Sequence, residues 1–84
     1  MNAHFCEAFS SHVVRLLCEE RERQRVSMNV LAQKAGLHHA TISLVERELR
    51  NPSLDTLIRI ADVLNVDLGE IVTRARKAAL KKEV

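Results

Sequence analysis

The sequence has no tryptophan and no tyrosine, and only two of its 84 residues are phenylalanine. Turn-forming residues are also rare, since glycine occurs twice and proline once. Leucine, alanine, valine, arginine and glutamate are abundant instead, and most of these favour helices. The composition therefore argues against a fold built from many strands and turns, and predicts an all-helical domain with a mostly aliphatic core.

Long apolar runs are missing as well. No segment is long and apolar enough to span a membrane, and no basic-then-apolar leader of the secretory kind occurs, so we expect the chain to stay where it is made. The length fits one domain over residues 1–84, with a disordered start at 1–4 and a basic tail or helix extension at 74–84. Such a chain has a small core, for which dimerisation commonly compensates.

The two cysteines do not form a site together. Cys6 and Cys18 lie on one predicted helix with a rise of about 18 Å between them, which is too far for a disulfide. We expect free thiols in a reducing compartment. His4 and His12 are near in sequence, but no tight pair such as Cys-x-x-Cys occurs, so no metal is predicted. A catalytic Cys–His pair would need an orienting acid and a Gly-rich oxyanion turn, and the sequence shows neither. Enzyme activity is therefore not predicted, and no cofactor is predicted either.

Apolar residues at helical spacing predict long helices at both ends of the chain. A first helix is predicted from Phe5 to Arg23. A fourth helix opens at Pro52-Ser53 and stops near Asn65. Its inward stripe is predicted to consist of Leu54, Leu57, Ile58, Ala61 and Leu64. A fifth helix opens at the capping-box sequence Asp67-x-x-Glu70 and keeps its apolar spacing as far as Ala79.

The most informative segment is residues 27–52, SMNVLAQKAGLHHATISLVERELRNP. Ser27 can cap a helix, and Gly36 can supply the positive φ that ends it. A third helix then follows His38, with Ile42 and Val45 on one face. The opposite face carries His39, Ala40, Ser43 and Leu44. Two short helices joined by a sharp glycine turn are the layout of a helix-turn-helix that reads DNA.

From about Leu17 to Val72, the sequence closely resembles the lambda-repressor and Cro type of helix-turn-helix, also called the xenobiotic-response-element family. The resemblance rests on six pieces in order: Leu31-Ala32, Ala35-Gly36, Ile42-Ser43, Glu46-Arg47, Asn51-Pro52-Ser53 and Ala61-x-x-Leu64. It implies an all-α, compact five-helix bundle. It also implies that the second helix of the motif enters the major groove of DNA.

The resemblance assigns two kinds of DNA contact. Base readout falls on the start of the third helix, at His38, His39, Ala40, Thr41, Ser43 and Leu44. Phosphate contacts fall on Ser27, Met28, Asn29, Arg47 and Arg50. Two plainer interpretations remain open, namely that His39 is only solvated and that the two arginines are ordinary surface cations. Because Ala40 and Leu44 cannot form hydrogen bonds with bases, DNA shape is expected to contribute to recognition.

Other expectations concern the scaffold. In the family, a glutamate at the position of Glu46 pairs with an arginine that matches Arg21. Glu48 stands where relatives usually have glycine, so the third helix is expected to end less sharply or to extend toward Leu49. A dimer contact is predicted on the fifth helix, at Leu68, Ile71, Val72 and Ala75. Phe5 and Phe9 are a second possible contact.

The basic tail from Arg74 allows three interpretations: a helix paired with the same helix of a second subunit, a DNA-contacting arm, or a solvated end. For the whole chain, the resemblance implies a transcriptional regulator, with repression expected, that binds a pseudo-palindromic operator as a homodimer. It is expected to be encoded by a bacterium or a phage and to lie in the cytoplasm, associated with the nucleoid. The alternative is a helical adaptor that binds a partner protein, in the manner of an antitoxin or a coactivator.

Overall fold

Five α-helices make up residues 2–83, the part of the chain that the computed structural model describes, with side chains as far as Lys81. They are α1 (Ala3–Arg23), α2 (Met28–Ala35), α3 (His39–Glu46), α4 (Leu54–Leu64) and α5 (Leu68–Glu83). No strand occurs in this range, so the prediction of an all-helical bundle is confirmed. None of the described helices is apolar over a length sufficient to cross a membrane.

Helix α1 begins earlier than the sequence predicts. The carboxamide oxygen of Asn2 accepts a hydrogen bond from the backbone N–H of Phe5 at 2.8 Å, which caps the helix. Ala3 and His4 therefore lie in the first helical turn, and the expectation of a disordered start is wrong for them. Met1 lies outside the described residues. The physical reason is the cap, which satisfies one of the N–H groups left free at a helix start.

Four helix ends share one backbone conformation. Arg25, Gly36, Glu48 and Asn65 all have a positive φ, between 56° and 71°. After each, the next residue donates its N–H to a carbonyl five residues back, for example Leu37 to Ala32 at 2.9 Å and Leu49 to Leu44 at 2.9 Å. This is the pattern of the Schellman motif, which satisfies carbonyls left open at a helix end. Only one of the four positions is glycine.

The core lies where α1 meets α3, α4 and α5. Leu31, Ile42 and Leu64 are its largest fully buried side chains. Smaller alanines at Ala32 and Ala61 are also buried and allow the helices to approach closely. The most extensive packing is between α1 and α5, and α2 packs against both α3 and α4. The long terminal helices thus support the short central ones.

The inward face of α4 is not the one that the sequence predicts. Leu54 and Ile58 are 67% and 51% exposed, so they do not belong to an inward stripe. Thr56 and Ile60 are buried in their place, together with Ala61 and Leu64. Because α4 carries apolar residues on more than one face, spacing alone allows two orientations, and packing against α1 and α2 selects one.

Two of the four α5 residues predicted to contact a second subunit are buried within the chain itself. Ile71, Ala75 and Ala79 are 3%, 0% and 0% exposed, because this face packs against α1. The prediction that Ile71 and Ala75 contact a second subunit is therefore wrong. Leu68 and Val72 are partly buried against the same core, and their dimer contact remains a prediction.

Phe5 and Phe9, the second possible dimer contact, also pack within the chain. Phe5 is 4% exposed and its ring meets that of Phe9 edge-on, with centroids 5.8 Å apart. Phe5 is thus committed to the chain's own packing, whereas Phe9 is only partly buried. The basic segment from Arg74 continues α5 as far as Glu83, so of the two forms expected for residues 74–84 the described part is a helix extension.

Candidate nucleic-acid interface

Helix α2 and the turn after it are built from local hydrogen bonds. The hydroxyl of Ser27 accepts the N–H of Val30 at 3.1 Å and so caps the start of α2. At the other end, Gly36 has φ 71° and ψ 33°, a left-handed conformation that costs glycine little. A Cβ at Gly36 would also lie 3.2 Å from an Arg59 nitrogen. The sharp turn predicted between the two helices is therefore present.

Arg59 holds this turn from the side of α4. Its Nη1 donates to the carbonyl of Ala35 at 3.1 Å, which is one of the carbonyls left open at the end of α2. Its Nε donates to Asp55 at 2.8 Å, one helical turn earlier. The sequence analysis missed this contact because a single arginine on α4 gives no sign of the loop that it reaches.

Helix α3 has one buried face and one exposed face. Ile42 and Val45 are 0% and 3% exposed and anchor it in the core. His38 is the N-cap residue but makes no side-chain cap hydrogen bond. His38, His39 and Ala40 are exposed, and Thr41, Ser43 and Leu44 are half-buried. The front of α3 is therefore open to a ligand.

The predicted phosphate-binding residues differ in their surroundings. Ser27 and Asn29 are exposed at the start of α2, where the free N–H groups of a helix favour an anion. Met28 is half-buried and packs against the core. The side chain of Met28 is therefore unsuited to the predicted phosphate contact, and only its backbone N–H can serve.

Arg47 and Arg50 lie just beyond the end of α3, and both are exposed. With the side chains of residues 2–81, neither forms a salt bridge or a side-chain hydrogen bond. Their charges are thus available to an anion outside the chain, as the sequence predicts for a phosphate contact. Glu48 lies between them in sequence and reduces the local positive charge.

The other end of α3 is fixed by an ion pair with α1. Arg21 binds Glu46 through two parallel hydrogen bonds, Nε–Oε2 at 2.6 Å and Nη2–Oε1 at 2.8 Å. Its remaining nitrogen, Nη1, donates to the carbonyl of Val26 at 2.8 Å. The two side chains are only 12% and 14% exposed. The Arg21–Glu46 pair expected from the resemblance is therefore present, and it also reaches the loop before α2.

Cys18 is a third member of this group, which the sequence analysis did not anticipate. Its thiol donates to Oε1 of Glu46 at 3.3 Å. Burial, and then the hydrogen bond and negative charge of Glu46, raise the pKa of the Cys18 thiol to about 11. The hydrogen bonds with Glu46 raise the pKa of Arg21. Cys18 precedes Arg21 by one helical turn, and this spacing is the signal that could have revealed it.

The turn at the end of α3 is sharper than expected. The helix stops at Glu46, and Glu48 adopts φ 58° although it is not glycine. The expectation of a gradual end or an extension toward Leu49 is therefore wrong. Hydrogen bonds from the N–H groups of Glu48 and Leu49 to Val45 and Leu44, both at 2.9 Å, close the turn and hold this conformation.

The residues considered for metal or nucleophilic chemistry are not brought together. Both cysteines are free thiols, with Cys6 exposed and Cys18 half-buried. Among the side chains that the structure describes, those of residues 2–81, no group of three or more His, Cys, Asp or Glu is arranged to hold a metal ion. The candidate site is therefore the exposed surface formed by the start of α2, the front of α3 and the arginines that follow.

Comparison with known proteins decides the family. A family model described as helix-turn-helix matches residues 19–71, which is more than half of the chain. The chain belongs to this family. Its helix-turn-helix is of the xenobiotic-response-element type that the sequence resembles. The match begins within α1 and ends within α5, so it contains the whole motif and the Arg21–Glu46 pair.

Several relatives share this helix-turn-helix. An uncharacterised HTH-type transcriptional regulator of Mycobacterium tuberculosis (strain H37Rv) is 43% identical over 56 residues, which cover 67% of this chain and 40% of the relative. The control protein C.SmaI of Serratia marcescens is 41% identical over 54 residues, 64% of each chain. The regulator PuuR of Escherichia coli K12 is 31% identical over 61 residues, 73% of this chain and 33% of PuuR.

The match is therefore to a part of these relatives. The chain spans less than half of the Mycobacterium tuberculosis regulator and under two thirds of C.SmaI. No solved structure matches the chain significantly. The comparisons establish that the chain contains this helix-turn-helix. They do not establish that it shares the activities of the full-length relatives.

Proposed function

We propose that this chain is a transcriptional regulator that binds double-stranded DNA sequence-specifically, as a homodimer on a pseudo-palindromic operator. The observation that carries the proposal is the exposed front of α3, with His38, His39 and Ala40 facing outward while Ile42 and Val45 anchor the helix. A helix that is rigidly held and open at its front can enter a major groove. The relatives named as transcriptional regulators share this segment.

Base recognition is assigned to few polar groups. His39 and Ser43 can form hydrogen bonds with base edges, whereas Ala40 and Leu44 offer only apolar contact with a thymine methyl group. His38 and Thr41 border this surface. We infer that the shape and deformability of the DNA supply part of the sequence preference. The two-fold arrangement of a dimer would place two such helices in successive major grooves about 34 Å apart.

Phosphate contacts position the motif on the duplex. Arg47 and Arg50 supply the charge beyond α3, and Asn29 with the free N–H groups of α2 supplies a second contact. Repression follows when the bound dimer covers a promoter and sterically prevents transcription from starting there. The proposed setting is a bacterial or phage-infected cytoplasm, where duplex DNA is directly accessible.

A titration of labelled duplex DNA at several salt concentrations tests the proposal. Affinity for random duplex should fall steeply as salt rises, because bound phosphates release counterions. Arg47→Ala should weaken binding to all sequences and lower the salt slope by about one unit per protomer. His39→Ala should instead relax preference at particular base pairs of a selected operator, at about 1–3 kcal/mol per lost contact.

The matched control is Arg15→Ala, which removes an equal charge from an exposed arginine of α1 outside the motif. This variant should bind DNA as the unmodified chain does. If Arg47→Ala and His39→Ala bind as tightly and with the same preference as the parent, α3 is not the DNA-reading helix.

One observation favours a second candidate function. The front of α3 presents exposed Ala40 and half-buried Leu44 where hydrogen-bonding side chains would be expected in a DNA reader. An apolar helix face of this kind also suits a partner protein. A helical adaptor would show no salt-dependent binding to random duplex, so the same titration separates the two functions.

A further inference from the structure

Helix α3 differs from the other described helices at its start. His38, its N-cap residue, makes no side-chain cap hydrogen bond. Each of the other four helices has such a bond, in which an N–H of the first turn is accepted by the side chain of Asn2, Ser27, Ser53 or Asp67. A missing cap leaves one more N–H group at a helix start without a side-chain partner. The end of α3 that is proposed to read bases therefore depends on contacts outside its own first turn.

The peptide group between Ala35 and Gly36 is where the chain turns from α2 toward α3. The N–H of Gly36 is bonded to the carbonyls of Ala32 and Gln33, so these turn bonds do not use the carbonyl of Ala35. Nη1 of Arg59, on α4, donates to that carbonyl at 3.1 Å. A charged donor makes a stronger hydrogen bond than a neutral one. The contact therefore fixes the direction of this peptide group relative to α4.

Arg59 is itself held in place on α4. Its Nε donates to Asp55 at 2.8 Å, one turn earlier. Asp55 lies in the first turn of α4, where the free N–H groups of the helix favour a negative charge. Because a guanidinium is planar and rigid, fixing Nε also sets the direction in which Nη1 donates. The Arg59 side chain is 48% exposed, so these bonds add little to overall stability and act mainly on local geometry.

Gly36 and Arg59 fit each other closely. A Cβ at residue 36 would lie 3.2 Å from Nη1 of Arg59, which is closer than ordinary van der Waals contact. With a side chain at this position, the guanidinium would have to shift from its place beside the Ala35 carbonyl. Gly36 thus serves two purposes, because it adopts φ 71° without strain and also leaves room for the hydrogen bond.

We propose that Arg59 is a positioning residue for DNA reading. Through the Ala35 carbonyl it fixes the turn that leads into α3, and so the placement of His39 at the edges of the bases. This inference rests on the proposed function. Hydrogen bonds to base edges require a defined geometry, whereas phosphate contacts by Arg47 and Arg50, beyond the other end of α3, do not read sequence. Arg59 therefore affects sequence preference more than general affinity for DNA.

A direct contact between Arg59 and a phosphate explains less of this geometry. Two of its three side-chain nitrogens, Nε and Nη1, already donate within the chain. Arg47 and Arg50, by contrast, form no salt bridge with the side chains that the structure describes. A phosphate contact would also release a counterion and so contribute to the salt dependence of binding. The two roles therefore have different signatures.

Amide hydrogen exchange of the full chain without DNA, followed by NMR, tests the structural part of the proposal. Arg59→Met removes the donors and keeps a side chain of similar length and helix propensity. The amide protons of Leu37, Thr41 and Ile42 are bonded within the turn and the start of α3. They should exchange on the order of fivefold faster, because about one net hydrogen bond is lost nearby. The amide proton of Leu17, a buried residue of α1, should change little.

Binding to duplex DNA tests the functional part. Arg59→Met should bind an operator selected by the parent chain on the order of fivefold more weakly, because base contacts are then made with less favourable geometry. Its affinity for random duplex and its salt slope should stay the same. The matched control is Arg15→Met, which removes an exposed arginine of α1 that bonds Ser11 one turn earlier. This variant should match the parent in both the exchange and the binding measurements.

Three results would overturn the proposal. Equal exchange in Arg59→Met and Arg15→Met would show that Arg59 does not hold the turn. Exchange that rises at Leu17 by the same factor as at Leu37 would show a general loss of stability. A salt slope lowered by about one unit, with equal losses on operator and random duplex, would identify a direct phosphate contact. Because the exchange measurement omits DNA, local acceleration in a chain that binds no duplex would count only against the proposed function.

Discussion

Glu46 links α3 to α1 through its side-chain carboxylate. Its carboxylate accepts hydrogen bonds from Arg21 and from the Cys18 thiol, and Arg21 in turn holds the Val26 carbonyl. Taking two charges out of water is costly, so such a pair adds less stability than its short distances suggest. Its main effect is geometric, because the pair fits only one placement of α3 against α1.

Replacing Glu46 with glutamine should lower the free energy of unfolding by about 3 kcal/mol, because Arg21 is left largely buried without its counterion. Urea denaturation measures the loss. The control is Asp55→Asn, which breaks the exposed Arg59–Asp55 pair and should cost less than about 1 kcal/mol. Equal losses in the two variants would contradict a special role for Glu46. Operator preference, measured on folded protein, should stay unchanged.

At the scale of secondary-structure elements, the ends of the helices decide how α2, α3 and α4 follow one another. Ser27, Gly36, Ser53 and Asn65 mark helix boundaries that sequence reasoning finds, because each residue type has a local conformational preference. The left-handed turn at Glu48 has no such signal. Surrounding packing and two backbone hydrogen bonds impose it there, and these depend on the complete fold.

Glu48→Gly should raise the free energy of unfolding by about 1 kcal/mol, because a side chain at φ 58° is strained and glycine is not. Thermal or urea melting checks this. Glu48→Ala is the control, since it removes the charge but keeps the Cβ. If alanine stabilises as much as glycine, the effect comes from charge and the interpretation through backbone strain is wrong.

For the whole molecule, the sequence predicts the number and order of the helices but not all of their contacts. Periodicity placed Leu54 and Ile58 inside and left Ile71 and Ala75 for a partner, whereas the structure reverses both assignments. The reason is that two amphipathic segments can be paired in several ways with similar burial. Only the assembled bundle, in which α1 and α5 pack along each other, determines which faces remain exposed.

A substitution at Phe5 measures how much the first turns of α1 contribute to the stability of the bundle. Phe5→Ala should lower the free energy of unfolding by about 3 kcal/mol or more, since a nearly buried ring leaves a cavity. Urea denaturation measures this, with His4→Ala as an exposed neighbour expected to have little effect. Similar stabilities for the two variants would mean that the first turns of α1 are not part of the cooperative unit.

On α3, the residues that anchor the helix differ from those proposed to read DNA, and this separation has an evolutionary consequence. Ile42, Val45 and Glu46 hold the helix in place, while His39 and Ala40 are exposed and Ser43 is half-buried. Substitutions in the second set therefore leave the first set intact. Descendants of such a chain can acquire a new target sequence by a few exchanges, without first having to regain a stable fold.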